Sequence, residues 1–388
     1  MKVLILSSEY GAAYRGVAGY TLNFSLALAR RGVSVTVLTS VDQAGVDAQG
    51  IRVLGAVRKW NLWSALGIVR AIKGIGPDVV SLQYVPYMYS HYGVPTQLPV
   101  IMALLRMLGY NVVTTFHEVA IRFEIAKPKY WVVATLQRLI AYCLCWVSSR
   151  SFVSIEHYRR MLAVAGCSVR KLPVGSNIPS IVVSNEEMAA LRQRIARRGE
   201  FIMATFGVNP RRTDLLPGVI ARLRHEGIAV KWLAIGALPH AWVAATAAMA
   251  KDLHVDEAML FTGPLSAADV FRHLIIADVF LVVESINAKG WGGVSMKSTA
   301  LAAAFAAGLP VIGSKGDMTD DFFHDGKNIY LINSLDEDEI ACAIKAVLSS
   351  AELRARLRHG AAMSYERELC WESIAGKYLQ LYGETVRK

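Results

Sequence analysis

What most limits how this chain can fold is a unit that repeats along it. A short run of β-branched and aliphatic residues gives way to a glycine-bearing loop, then a helical stretch, then another apolar run. Residues 2–6 (KVLIL) show no polar alternation, so they read as a strand buried on both faces. A loop with Gly11, Gly16 and Gly19 follows. Residues 20–31 place Leu22, Leu26 and Ala29 at helical spacing, with Gly32 as the stop. Residues 33–38, 78–82, 111–115 and 151–154 read as further strands, and 65–73, 98–108 and 157–164 as helices. The turn-rich stretch KLPVGSNIP, residues 171–179, closes this series. The pattern then restarts: strands at 201–206, 230–235, 259–261, 279–283, 310–312 and 329–331, with helices at 214–224, 300–307, 336–349, 351–365 and 370–382. Strands alternating with helices predict parallel sheets. The expected fold class is α/β, with two doubly wound Rossmann-like domains at 1–178 and 179–368 and a terminal helix at 369–388. In such folds ligands bind outside the carboxyl ends of the strands, which here predicts an interdomain cleft.

Composition suits that size of fold. Of 388 residues, 54% are hydrophobic and 19% charged, enough to fill two cores and too apolar for a disordered chain. The five cysteines form no metal-ligand or redox pattern, which fits a reducing compartment. The apolar run after Lys2 is too short for a secretory signal. The longest apolar stretch, 131–147, is interrupted by Gln137 and Arg138, so a spanning helix is not expected and a cytoplasmic enzyme is. The net charge of +11 is uneven: residues 1–180 hold 19 Lys and Arg against 7 Asp and Glu, a net of +12, and the remainder is close to neutral. The first half therefore suits an anionic partner: a membrane surface or a phosphorylated acceptor. Nucleic acid is not expected, because no recognition signature accompanies the charge.

The motifs resemble those of the GT-B glycosyltransferases of family 4, the retaining nucleotide-sugar transferases. The resemblance rests on the first strand, loop and helix, VVTTFHE, KLPVGSNIP, FGVNPRRTDLL, WLAIGALP, LFTGPLSAADVFRHLIIADVFLVV, GLPVIGSKGDMTDDFFHDGKN and the closing WESIAGKYLQLY. It implies an acceptor-binding first domain, a donor-binding second domain and a last helix that crosses back onto the first. The chain departs from the family at the E-x7-E pair often found before the alanine-rich helix. Ser295 and Ala303 stand at those positions. Glu284, at a strand end, is a substitute carboxylate by position.

A nucleotide-sugar donor carries a diphosphate leaving group, so its cleavage calls for positive charge and backbone N–H donors. Gly293, Ser295, Lys297, Ser298 and Thr299 lie in a Gly/Ser loop running into a helix, whose N-terminus can bind phosphate. The alternative is a helix capped by Ser298 with Lys297 in solvent. Arg211 and Arg212 fall where the family places its diphosphate-contacting base, and both can instead be solvated on a loop. The resemblance assigns His117 to the donor sugar and makes Gly16 and Gly19 part of a loop over the donor phosphates that also helps bind the acceptor. It assigns Gly236 and Gly263 to base recognition. A structural histidine and an ordinary turn are the competing readings. Arg15, Tyr84 and Glu118 are candidate acceptor contacts. The nine histidines show no H-x-x-x-H spacing, so neither a metal nor another cofactor is implied beyond the nucleotide-sugar co-substrate. With no carboxylate pair, double displacement lacks a nucleophile, and front-face attack is favoured.

The expected activity is therefore sugar transfer, with retention, from a nucleotide-diphosphate donor to a glycan or lipid-linked acceptor in surface polysaccharide or glycolipid assembly. A non-catalytic sugar-nucleotide-binding relative and a nucleotide-sugar 2-epimerase are the alternatives. Arg58, Lys59, Trp60 and Trp63, with the apolar segment 98–108 around Arg106, suit peripheral binding to anionic lipid, unless these side chains pack inside. Tyr84, Tyr87, Tyr89 and Tyr92 suit stacking on sugar rings, unless they pack on one another.

Overall fold

The computed structural model describes residues 1–11, 16–43, 50–123, 129–209, 212–286 and 290–386. Arg15 and Arg211 lie outside the described residues. The chain divides into two compact units, Met1–Asn177 with Trp371–Lys388, and Ile178–Cys370.

The first unit is built on seven strands: β1 (Lys2–Leu6), β2 (Ser34–Ser40), β3 (Ile51–Val57), β4 (Val79–Tyr84), β5 (Asn111–Phe116), β6 (Arg150–Val153) and β7 (Val169–Lys171). They form one sheet in the order β3-β2-β1-β4-β5-β6-β7. Every neighbouring pair is parallel; Leu4, for example, lies between Thr36 and Val80. All six residues of β4 are buried, as befits a central strand covered on both faces. The strand order reverses beside β1. Right-handed crossovers therefore put the helix Gly16–Arg30 on one face and the helices Ala65–Ile75, Gln97–Met107, Lys129–Val147 and Glu156–Ala163 on the other.

The last helix, Trp371–Val386, lies against Gly16–Arg30 within this unit. Its inward face is aromatic. Tyr378 stacks at a tilt on Phe24 and Phe152, and Trp371 meets Tyr20 edge to face at 5.1 Å. Each ring hydroxyl on this helix has a buried partner: Tyr378 shares hydrogen bonds with Tyr20 and Thr115, and Tyr382 donates to Ser81. The indole N–H of Trp371 donates to the carbonyl of Ser176 at 2.6 Å. At the rim, Arg30 pairs with Glu372 and Arg150 with Glu384.

The second unit has six strands: β8 (Phe201–Phe206), β9 (Val230–Ile235), β10 (Met259–Phe261), β11 (Val279–Val282), β12 (Val311–Ser314) and β13 (Tyr330–Ile332). The order is β10-β9-β8-β11-β12-β13, again all parallel. Trp232 on β9 is fully buried and donates to Thr205 Oγ1 on β8. Helix starts carry side-chain caps: Ser184 with Glu187 in a capping box, then Ser266, Ser298, Asp336 and Ser350. The sequence Asp336-Glu337-Asp338 is thus the capped first turn of the helix Glu337–Ser349, with Asp336 accepting from the Glu339 N–H.

Three expectations change here. β3 and β7 are not among the expected strands: IRVLGAV interleaves polar and small residues with its central positions only partly covered, and β7 is three residues long. The first helix begins at Gly16 rather than Tyr20, so Gly19 is a buried helical residue and not part of a loop. Its carbonyl accepts from Asn23 Nδ2 one turn on at 2.9 Å. Tyr84 is wholly buried as the last residue of β4, packed edge to face on Phe116.

Trp371 is the test of how the last helix is held. A Cβ placed on Gly175 would stand 2.7 Å from its ring, so ring and backbone already touch. Trp371→Ala should cost roughly 3–5 kcal/mol, seen as a fall of about 6–20 °C in melting midpoint. An unchanged midpoint would show that this helix is not anchored by its first residue.

Candidate active site

In a doubly wound sheet the open edge beyond the strand carboxyl ends, where the strand order reverses, is where backbone groups converge without a covering helix. In the second unit that point lies around β8. A small pocket of about 20 Å³ sits there, lined by Thr205, Phe206, Gly207, Asn209, Thr213, Ile235, Leu238, Leu281 and Val283.

Its floor depends on glycine. Gly207 follows β8 with φ of 146° and Gly236 follows β9 with φ of 119°. A Cβ on Gly236 would lie 2.4 Å from the carbonyl oxygen of Gly207, a distance no side-chain carbon adopts. Gly263, with φ of 67°, makes an antiparallel bridge to Gly236. Thr262 ties the two strand ends together, accepting from the Gly236 N–H and donating to the Gly263 carbonyl.

Arg212 is anchored beside this pocket by its backbone, whose N–H reaches the Val283 carbonyl at 3.4 Å. Its guanidinium is partly exposed and meets Asp214 at 3.3 Å, a rim pair of small energetic value. Glu284, the next residue after Val283, is partly buried, and its carbonyl accepts from Ser314 Oγ. The structure thus brings Gly207, Gly236, Gly263, Arg212 and Glu284 to one sheet edge.

The Gly/Ser loop is built differently from the expectation. Gly292 and Gly293 pack directly onto the loop that follows β12. A Cβ on Gly293 would lie 2.4 Å from the Gly316 nitrogen, and one on Gly316 2.4 Å from the Gly292 carbonyl oxygen. The Gly292 N–H donates to Asp317, that of Gly293 to the Ser285 carbonyl, and that of Val294 to Ser314. These N–H groups hold the two loops together and do not point to a ligand. Phosphate binding by this turn, as expected from the sequence, therefore falls to the helix N-terminus and Lys297 and not to the Gly293 amide. Ser295 and Ser298 are both buried, and Ser298 caps the helix Thr299–Ala306 by accepting from the Leu301 N–H. Lys297 is the exposed side chain of this turn, and Thr299 opens the helix. Ala303, the other position of the absent glutamate pair, is fully buried in that helix.

In the first unit the corresponding edge carries His117, just past β5. Its backbone N–H donates to the Tyr84 carbonyl. Its ring is almost wholly buried, edge-on to Tyr20 at 4.5 Å, with Nε2 2.9 Å from Gln83 Oε1. Gln83 in turn donates to Ser81 Oγ, the group that receives the Tyr382 hydroxyl. With Gln83 accepting, the proton sits on Nε2 and Nδ1 is the acceptor. Burial pushes the His117 pKa down to about 3, so the ring is neutral at physiological pH. Glu118 beside it is exposed. Asn177 donates to the Gly16 carbonyl, while its Oδ1 is buried with no hydrogen-bond partner.

Tyr84 as an acceptor contact is corrected: burial raises its phenol pKa, and its hydroxyl lies inside with no bonded partner. Tyr89 is also interior, donating to the carbonyls of Leu6 and Gln83. Only Tyr87 and Tyr92 of the tyrosine group are exposed. The sequence reading missed Gln83, Asn209 and Thr213. The signal for Gln83 was an uncharged polar residue inside an otherwise apolar strand. Among the described residues no group of His, Cys, Asp and Glu is arranged to hold a metal ion.

Residues 14–172 match the family described as Glycosyltransferase Family 4, and residues 201–350 the family described as Glycosyl transferases group 1. No curated protein sequence gives a significant match. Among solved structures, the chain is similar to a glycosyltransferase from Rickettsia africae (TM-score 0.72, 14% identity, covering 100% of this chain and 99% of that one). It is similar to HepE from Anabaena, solved in complex with UDP and glucose (0.69, 14%, 99% and 100%). It is also similar to WaaG, a glycosyltransferase involved in lipopolysaccharide biosynthesis (0.65, 15%, 98% and 99%). With the two glycosyltransferase family matches together spanning most of the chain and the fold shared with such enzymes, the chain belongs to the GT-B glycosyltransferases of the family 4 type.

Proposed function

We propose that this enzyme transfers a sugar from a nucleotide-diphosphate donor, with retention, to an acceptor that carries phosphate or a lipid pyrophosphate, in surface polysaccharide or glycolipid assembly. The observation that carries the donor half is the glycine-floored pocket at the ends of β8, β9 and β11, with Arg212 and Glu284 at its edge. Structures similar to this one include a complex with UDP and glucose and an enzyme of lipopolysaccharide biosynthesis, which supports the same reading. The acceptor half rests on charge: the first 180 residues are strongly basic and the rest nearly neutral, a field that favours an anionic acceptor over a neutral sugar.

In this reading the bond between the anomeric carbon and the β-phosphate oxygen breaks as the acceptor hydroxyl bonds to the same face. The acceptor proton passes to the departing phosphate oxygen, so no protein base is required. Lys297, Arg212 and Arg211 offset the charge that grows on the diphosphate, with the N-terminus of the helix Thr299–Ala306 adding its dipole. Gly236 and Gly263 admit the base close to backbone. Glu284, near the strand end, is assigned to the sugar or ribose hydroxyls. His117, being neutral, is assigned a hydrogen bond to the donor sugar rather than proton transfer. The reaction is assigned no metal, and the cytoplasm, at the inner face of the membrane, is the assigned site of action.

Lys297→Ala and the double change Arg211→Ala/Arg212→Ala should each lower kcat by about 10²–10³ while leaving the melting midpoint in place. Wild-type turnover in both would move the diphosphate elsewhere. A companion assay compares matched acceptors with and without phosphate across ionic strength. The phosphorylated acceptor should be preferred, with the preference shrinking in salt; a salt-insensitive preference for the neutral one would overturn the acceptor assignment.

His117 gives a pH signature. Its folded-state pKa near 3 lies below the unfolded value, near 6.5, so the unfolded chain takes up a proton that the folded chain refuses. Its contribution to stability is whole above about pH 6.5 and is lost as pH falls toward 3. The melting midpoint of His117→Gln, measured relative to the parent protein, should therefore rise steadily from pH 7 to pH 4. A constant difference would mean the ring is not held neutral.

A further inference from the structure

We propose that the outer helix layer of the first unit is a docking face for an anionic lipid surface, lying in the headgroup region without spanning the bilayer. The layer is formed by Ala65–Ile75, Gln97–Met107 and Lys129–Val147, packed side by side on one face of the sheet. It extends the reading of a lipid-linked acceptor above by naming the residues that meet the lipid.

The longest of the three helices is inverted relative to a soluble one. Val132, Leu136, Leu139, Cys143 and Trp146, spaced four and three apart, form a continuous stripe, and all five are exposed. Trp146 is 64% exposed although its indole N–H has a partner in the Ala165 carbonyl. A soluble helix places polar residues on such a stripe. By length and composition Tyr130–Val147 could cross a membrane. It is instead fixed on the sheet. Ala134, Ile140, Ala141 and Leu144 are buried, and the Gln137 side chain accepts from the Ile121 N–H and donates to the Gly93 carbonyl. A helix held by such bonds presents its free stripe to an interface and does not leave the fold to span one.

At the far side of the layer Trp63 is 91% exposed, with Leu62 and Leu66 beside it. Trp60 takes the other reading: it is packed on Tyr89 and donates to Ser40, so it is not a membrane contact. The segment 98–108 divides in the same way. Leu98, Ile101, Met102 and Leu105 are interior, while Val100, Met107 and Leu108 face out. Exposed apolar area of this extent marks an interaction surface, and exposed tryptophans suit a headgroup layer.

Charge decides the occupant. The three helices contain no Asp or Glu. Arg58 and Lys59 are exposed in the stretch leading to Trp63, and Arg70 and Lys73 are exposed at helical spacing from Leu66. A second copy seated on this face would bring the same basic groups together with no carboxylate from these helices to offset them. An anionic headgroup layer neutralises them, at about fivefold in binding for each.

The test is sedimentation of the full-length protein with vesicles of phosphatidylcholine, alone or mixed with phosphatidylglycerol, at low and high salt. The variants are Leu136→Glu/Leu139→Glu and Arg70→Glu/Lys73→Glu, with Val182→Glu, a fully exposed site on the second unit, as control. All five positions are at the surface, so each variant should keep its melting midpoint. The proposal expects salt-sensitive binding to the anionic vesicles, reduced at least tenfold in both double variants and unchanged in the control. Equal binding by all proteins, no binding at all, or a lipid-free dimer abolished by Leu136→Glu/Leu139→Glu would overturn it. Donor hydrolysis by the same preparations without vesicles should be unaffected by the double variants. That readout reports on the transfer reading alone, so the two can fail separately.

Discussion

The second unit turns on a single approach of backbone to backbone. With Gly236 at a φ open to glycine and no Cβ between it and the Gly207 carbonyl, the ends of β8 and β9 close to a distance that any side chain would prevent. The bridge from Gly236 to Gly263 and the two hydrogen bonds of Thr262 then fix the end of β10 beside them. What results is a small pocket with Gly207 in its lining, bounded by apolar side chains such as Phe206, Leu238 and Leu281 and by the polar Asn209 and Thr213. A planar base or a diphosphate that meets backbone gains affinity from close contact with its dipoles. The same device recurs where the Gly292-Gly293 turn meets Gly316, but there the backbone groups are spent on each other. Close glycine packing therefore has two outcomes in one unit: an open floor in one place and a locked pair of loops in the other.

The first unit relies on a chain of buried polar contacts. The tyrosines of the last helix reach Ser81 and Thr115 on the sheet, Ser81 receives Gln83, and Gln83 fixes the His117 ring. A buried network is stabilising only when its members are partnered, and this one joins the last helix of the chain to the candidate site through four side chains. Desolvation then keeps the imidazole neutral, which makes it a hydrogen-bonding group and not an acid. The Tyr84 hydroxyl, on the residue that follows Gln83 in β4, is buried and bonded to nothing, so it takes no part in this network.

Much of the fold was legible in the sequence. Both sheets follow from apolar runs such as KVLIL and FIMATF, and Gly236 and Gly263, assigned to the base by resemblance, stand at the ends of β9 and β10. What sequence patterns missed has physical causes. A strand covered on both faces carries no alternation, so Tyr84 at the end of β4 gave no sign of facing inward. Trp60 and Trp63 stand three residues apart in one basic stretch, yet tertiary contacts bury the first against Tyr89 and leave the second in solvent. The Gly/Ser turn before the alanine-rich helix has the composition of a phosphate loop. Only the coordinates show its first amides donating to Asp317, Ser285 and Ser314. Composition identifies which backbone groups are able to bind, and packing decides which are already taken.

The claim on which the account rests is that the nucleotide diphosphate sits on the glycine floor of the second unit. Hydrogen–deuterium exchange with and without UDP, GDP or ADP tests it directly, because amides that contact a ligand are slowed. The diphosphate that stabilises the protein should slow exchange in residues 205–213, 236–238 and 262–263 and in the turn around Lys297, while the outer helices of the first unit keep their rates. Slowed exchange confined to other segments, with these unchanged, would contradict the account.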